Sequence, residues 1–118
     1  MKKWILTLVM FFSSSFAFAG GWSAIAYDRT TGSYGYAYGT YNKEQAESGA
    51  IASCNSLNCR VVATAFNSWV ALAVSNTDLN MYGAGWSANR FEALYWSMYY
   101  CNQGPSSCKV VVNIYAHD

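Results

Sequence analysis

Apolar and polar positions along this chain fall into short runs, and the runs recur after 47 residues. Trp22-Ser23-Ala24-Ile25-Ala26-Tyr27 is almost continuously apolar and predicts a strand, followed by a Thr- and Gly-rich turn from Asp28 to Ser33. Tyr34 to Gly39 alternates tyrosine with small residues, which predicts a second strand of period two. Asn42 has an N-cap side chain and Gln45 follows three residues on, the pattern of a capping box. A helix therefore begins there and ends near Cys54. It is lined by Ala46, Gly49, Ala50 and Ser53, small enough to let it lie very close to a sheet. Arg60 to Phe66 is a β-branched strand, and Asn67-Ser68 leaves only two residues before Trp69, which suits a tight hairpin joining the units.

A shift of 47 lays the first apolar run on Trp69-Val70-Ala71-Leu72-Ala73-Val74. It also lays Asn42 on Asn89, Ala46 on Ala93 and Cys54 on Cys101. Tyr34-Gly35 meets Tyr82-Gly83 with a slip of one, and Arg60-Val61-Val62 meets Lys109-Val110-Val111 after a two-residue insertion. The capping pair recurs as Asn89 and Glu92, and the last strand as Lys109 to Tyr115. The pattern predicts an α+β protein of two tandem β-β-α-β repeats, about 21–67 and 68–115. Strands flanking each helix share an antiparallel or mixed sheet, with the two helices packed on it on one face.

The N-terminus changes the setting. Lys2 and Lys3 precede an apolar stretch from Trp4 to Phe12, then a serine run and Ala17-Phe18-Ala19. These are the three parts of a secretory signal cleaved near Ala19, and the apolar stretch is too short for a stable membrane anchor. A single domain over 20–118 is then expected in the periplasm or outside the cell. Loss of Lys2 and Lys3 takes the charge count from seven basic and six acidic residues to five and six, so nucleic-acid binding is disfavoured.

All four cysteines, Cys54, Cys59, Cys101 and Cys108, fall in the mature part. An even count behind an export signal reads as a disulfide framework with three possible connectivities. The repeat selects Cys54–Cys59 and Cys101–Cys108, because each unit then carries its own bridge between helix end and following strand. A four-cysteine zinc site is the rival, although its usual spacing is tighter.

The stretch GWSAIAYDRTTGSYGYAYG, the capped alanine-rich helix ending in Cys54, and CRVVATAFN together resemble the secreted bacterial family called domain of unknown function 4189. The resemblance covers most of the mature chain and implies fold and export, with no established activity attached. Two features depart from the family pattern. Ser68-Trp69 stands where members often have a further cysteine, and the second helix is far more aromatic.

Candidate chemistry is sparse. His117 is the only histidine and sits at the C-terminus, where a solvated tail residue is the plainer reading than a general base. Asp28 and Asp78 fall in turns, Glu44 and Glu47 near a helix start, and Glu92 in a capping position. None has an obvious buried partner of the kind that glycoside hydrolysis needs. No catalytic residue, metal site or cofactor is expected.

Aromatic surface is the remaining signal. Tyr34, Tyr36 and Tyr38 share one face of a strand, either packed against neighbours or offered to a ligand. In the second helix the repeat turns Ala93, Trp96, Ser97 and Tyr100 to the sheet. Phe91, Leu94, Tyr95, Met98 and Tyr99 are left on the other sides, where the first helix has Glu44, Glu47, Ser48, Ile51 and Ala52. Such a helix is either enclosed by a curling sheet or carries an apolar patch that awaits a partner. The expected function is a non-enzymatic protein-binding module, in its narrow form an inhibitor or immunity protein against a periplasm-targeted toxin. A homodimer through the second helix and a peptidoglycan- or glycan-binding domain are the alternatives.

Overall fold

The structure is a computed structural model and describes residues 21–103 and 107–116. The expected signal peptide over 1–19, and His117, lie outside the described residues. The elements run β1 (Trp22–Tyr27), β2 (Tyr34–Thr40), α1 (Lys43–Cys54), β3 (Arg60–Phe66), β4 (Trp69–Ser75), β5 (Tyr82–Ser87), α2 (Arg90–Cys101) and β6 (Cys108–Tyr115).

Both helices start as their caps require. Asn42 Oδ1 accepts the Gln45 amide at 2.9 Å, and Gln45 Oε1 reaches back to the Tyr41 amide at 3.0 Å. Asn89 Oδ1 accepts from the amides of Phe91 and Glu92 at 2.8 and 3.3 Å. Glu92 uses its carboxylate on the Ser87 hydroxyl at 2.7 Å instead of a backbone amide. The helix ends differ. α1 closes on Asn55 in the left-handed region (φ 52°), whereas Asn102 after α2 has φ −84°.

The α+β class and antiparallel pairing are as expected, but the strands form two sheets where one was expected. Their orders are β2-β1-β3 and β5-β4-β6. The cause lies in the central strands. β1 places Ala24 and Ala26 on one face and Ile25 and Tyr27 on the other, and both faces are buried. β4 repeats this with Ala71 and Ala73 against Val70, Leu72 and Val74. The small face of the first sheet packs on α1 through Ala46, Ala50 and Cys54. The large face meets its counterpart in the second sheet, so Ile25, Tyr27, Ala63, Val70, Leu72, Val74 and Val112 form one core between the sheets. The layers are helix, sheet, sheet, helix. A single sheet with both helices on one face would leave that large-residue face in water, at roughly 25 cal/mol per Å² of apolar area.

This arrangement also corrects the expected hairpin at Asn67-Ser68. β3 and β4 belong to different sheets, so the two residues carry the chain from one layer to the next. Asn67 adopts φ 50° there, and its amide bonds the Gly21 carbonyl at 2.8 Å.

Helix and sheet approach to backbone contact. A Cβ at Gly35 would lie 2.6 Å from the Ala50 carbonyl oxygen and closer still to the Cys54 amide nitrogen. Gly83 and Gly85 play the same part under α2, where a Cβ at Gly85 would sit 2.5 Å from the Ala93 oxygen. Only glycine permits this spacing. The disulfides are Cys54–Cys59 and Cys101–Cys108, each tying a helix end to the following strand.

Candidate functional site

The backbone contact under α2 decides which side chains reach the surface. Ala93, Ser97 and Cys101 lie four residues apart and are fully buried against β5 and β4. Trp96 and Tyr100 were expected on this side, but strands that carry Gly83 and Gly85 leave no space for a ring beneath the helix. Both turn out to its flank, Trp96 39 % and Tyr100 53 % exposed.

They join an aromatic surface there. Tyr95 stacks on Tyr99 with centroids 6.0 Å apart, and Trp96 stacks on Tyr100 at 5.8 Å. Edge contacts link the two stacks, Tyr95 to Trp96 at 5.2 Å and Trp96 to Tyr99 at 5.6 Å. Phe91 extends the surface by one turn and is 72 % exposed. Leu94 and Met98 sit half-buried and contribute less area than their places in the helix suggested. At the N-terminal end Arg90 fixes the border. Its Nε donates to Asn113 Oδ1 at 2.9 Å, and its guanidinium lies 5.8 Å from the Trp69 ring centroid.

Trp86 completes the site from β5, an edge strand of the second sheet. A cleft of about 240 Å³ runs between it and the helix, lined by Ala84, Gly85, Trp86, Trp96 and Tyr100. Sequence reasoning missed Trp86, Trp96 and Tyr100 as surface residues. For Trp96 and Tyr100 the signal that could have found them was the Gly-Ala-Gly run from Gly83 to Gly85, which brings the helix too close for large residues.

The tyrosines of β2 form a separate surface. Tyr34, Tyr36 and Tyr38 are each a little over two-fifths exposed on the edge of the first sheet, and Tyr36 and Tyr38 stack at 6.4 Å. The register explains their direction. Ala24 pairs with Ala37 and Ala26 with Gly35, which puts the small residues under α1 and the tyrosines on the opposite face.

Asp28, Glu47 and Asp78 have structural partners. Asp28 is fully buried and accepts from the Ser56 hydroxyl at 2.5 Å, from the Thr30 hydroxyl at 2.6 Å and from the amides of Thr30 and Asn58 at 2.8 and 3.3 Å. Those bonds, the Ser56 hydroxyl foremost, hold its carboxyl far below the usual range and pin the Cys54–Cys59 loop to the end of β1. Glu47 accepts from Thr64 at 2.7 Å, and Asp78 caps the Asn80 amide at 3.0 Å. Among the described residues no group of three or more histidine, cysteine or acidic side chains is placed to hold a metal ion.

Fold and surface together define a disulfide-stapled helix–sheet–sheet–helix protein with an aromatic outer face. A family model described as a domain of unknown function, DUF4189, matches residues 22–114, the span from β1 into β6, and the chain belongs to that family. Neither the curated proteins nor the solved structures searched contain a match. Among the described residues no helix is long and apolar enough to cross a membrane, and the two disulfides are in keeping with an oxidising compartment outside the cytoplasm.

Proposed function

We propose that this protein is an exported, non-enzymatic module of two tandem β-β-α-β repeats that grips a protein partner through the aromatic face of α2. One observation carries the reading. Phe91, Tyr95, Trp96, Tyr99 and Tyr100 are all exposed, while a shift of 47 lays them on Glu44, Ser48, Gly49, Ala52 and Ser53 of α1. Two helices with the same packing and such different outer faces point to a task that only one of them performs. Rigid aromatic rings give large contact area at little conformational cost, which is why tyrosine and tryptophan anchor interfaces.

Other observations support the remaining parts. The two sheets share one strand order relative to the chain, and Trp22–Phe66 and Trp69–Tyr115 form ring pairs at matching places in the two halves, 5.2 and 5.0 Å apart. Export rests on the three-part pattern of residues 1–19 together with the disulfides. An inhibitor or immunity protein that meets a toxin in the periplasm is the narrow form of the proposal. Self-association through α2 is its other form.

The stacked Tyr36–Tyr38 pair on β2 favours a second reading, a glycan-binding domain of the cell envelope. One experiment tests both. Oxidised protein immobilised as bait should retain one stoichiometric envelope protein, or a second copy of itself. Tyr95→Ala with Tyr99→Ala should abolish retention at unchanged thermal stability, and Tyr36→Ala should leave it intact. Co-sedimentation with purified peptidoglycan that Tyr36→Ala weakens would instead favour the glycan reading.

A further inference from the structure

Apart from the aromatic face, the described chain has a second built pocket. It lies where β1 ends and β3 and β5 begin, encloses about 340 Å³, and is lined by Tyr27, Arg29, Arg60, Val62 and Tyr82. Register accounts for the gathering. Arg60 pairs directly with Tyr27 across the β1–β3 ladder and so shares the face that looks into the space between the sheets. Tyr82 comes from the opposite sheet and meets Tyr27 with ring centroids 5.0 Å apart. Arg29 follows from the turn after β1. The Tyr27 hydroxyl donates to the Leu79 carbonyl at 2.8 Å, which fixes the buried ring as a floor.

Neither Arg29 nor Arg60 forms an ion pair with a carboxylate among the described residues. Two arginines lining one pocket with an aromatic floor make an anion site, because arginine offers planar, paired donors and retains its charge. We propose that this pocket binds a small organic carboxylate, with Arg29 and Arg60 on the carboxylate and Tyr82 and Val62 against the apolar body of the ligand. Tyr27 is buried and its phenol pKa is raised, first by that burial and then by Tyr82, Asp28 and Asp78. The site is independent of the α2 surface, since Gly83 and Gly85 give α2 the other face of β5.

Benzoate, benzamide and inorganic phosphate separate the possibilities in solution, read by amide chemical shifts of the oxidised chain. Saturable benzoate shifts at Tyr27, Arg60 and Tyr82 are expected, with benzamide at least about tenfold weaker. Arg29→Gln and Arg60→Gln each weaken benzoate by about tenfold or more. Both positions are exposed, so the melting temperature stays level, and Tyr95→Ala leaves benzoate binding unchanged. Equal binding of benzamide, the absence of benzoate shifts up to about 20 mM, or undiminished binding by the double arginine variant overturns the proposal. Phosphate binding tighter than benzoate overturns the carboxylate assignment.

Discussion

Replacement of Gly35 by alanine tests, under α1, the same close helix–sheet packing that under α2 turns the aromatic residues outward. A Cβ there would stand 2.6 Å from the Ala50 oxygen and 2.5 Å from the Ser53 carbonyl carbon. Ordinary contacts begin near 3.4 Å, so at least about 0.8 Å must be found between helix and strand, and more against the Cys54 amide nitrogen. Little can give. The neighbours are helix backbone, and Cys54 at the helix end is tied through its bridge to Cys59. The Ser33 hydroxyl also donates to the Cys54 carbonyl at 2.5 Å. Overpacking costs about 1–3 kcal/mol where side chains can shift, and a clash with backbone belongs at or above the upper end. A loss of about 3 kcal/mol lowers the melting temperature of a domain this size by about 12–24 °C. Thermal and urea unfolding of the oxidised protein would measure it. Gly49→Ala is the control, because its Cβ meets only the Ala37 methyl at 3.0 Å and alanine favours the helix. A Gly35→Ala variant as stable as the parent would refute the close packing of α1, and Gly85→Ala puts the same question to α2, where Trp96 and Tyr100 turn outward.

Other consequences follow from single residues. Removal of the Cys54–Cys59 bridge by paired serine substitution should cost roughly 2 kcal/mol in guanidinium unfolding, as should removal of Cys101–Cys108. Ser23 is fully buried on β1 and its hydroxyl has no hydrogen-bond partner among the described residues, so Ser23→Ala should raise stability by up to about 1 kcal/mol in urea. Asp28 has a folded-state pKa held below its unfolded value, so its stabilising effect is complete near neutrality and fades as pH falls below about 4. Urea midpoints compared at pH 7 and pH 3 should therefore differ less in Asp28→Asn than in the parent.

Much of the fold was legible because each element carries its own local signal. The runs from Trp22 to Tyr27 and from Arg60 to Phe66 match their strands, and the Asn42 and Asn89 caps open the helices as expected. The disulfide pairing followed from local recurrence. The stacking of two sheets was not read, although WSAIAY and WVALAV encode it by alternating small with large apolar residues. A run buried on both faces looks the same whether its second cover is a helix or another sheet. Asn67-Ser68 was misread for a related reason, since a two-residue link satisfies a hairpin and a step between layers equally well. For the candidate site, the 47-residue repeat places Phe91, Tyr95 and Tyr99 outward, and all three are exposed. It does not place Trp96 and Tyr100 there, because their direction depends on glycines in a different element, and the pocket around Arg60 depends on a register between strands far apart in sequence.

Photocrosslinking on α2 tests the central claim most directly. A benzophenone amino acid at Tyr95 places the probe on the aromatic face, and the same probe at Ser48 occupies the matching position of α1. Irradiation of cells expressing each variant should yield one discrete adduct from position 95 and none from position 48. Equal adducts from both positions, or none from position 95, would contradict partner binding through this helix.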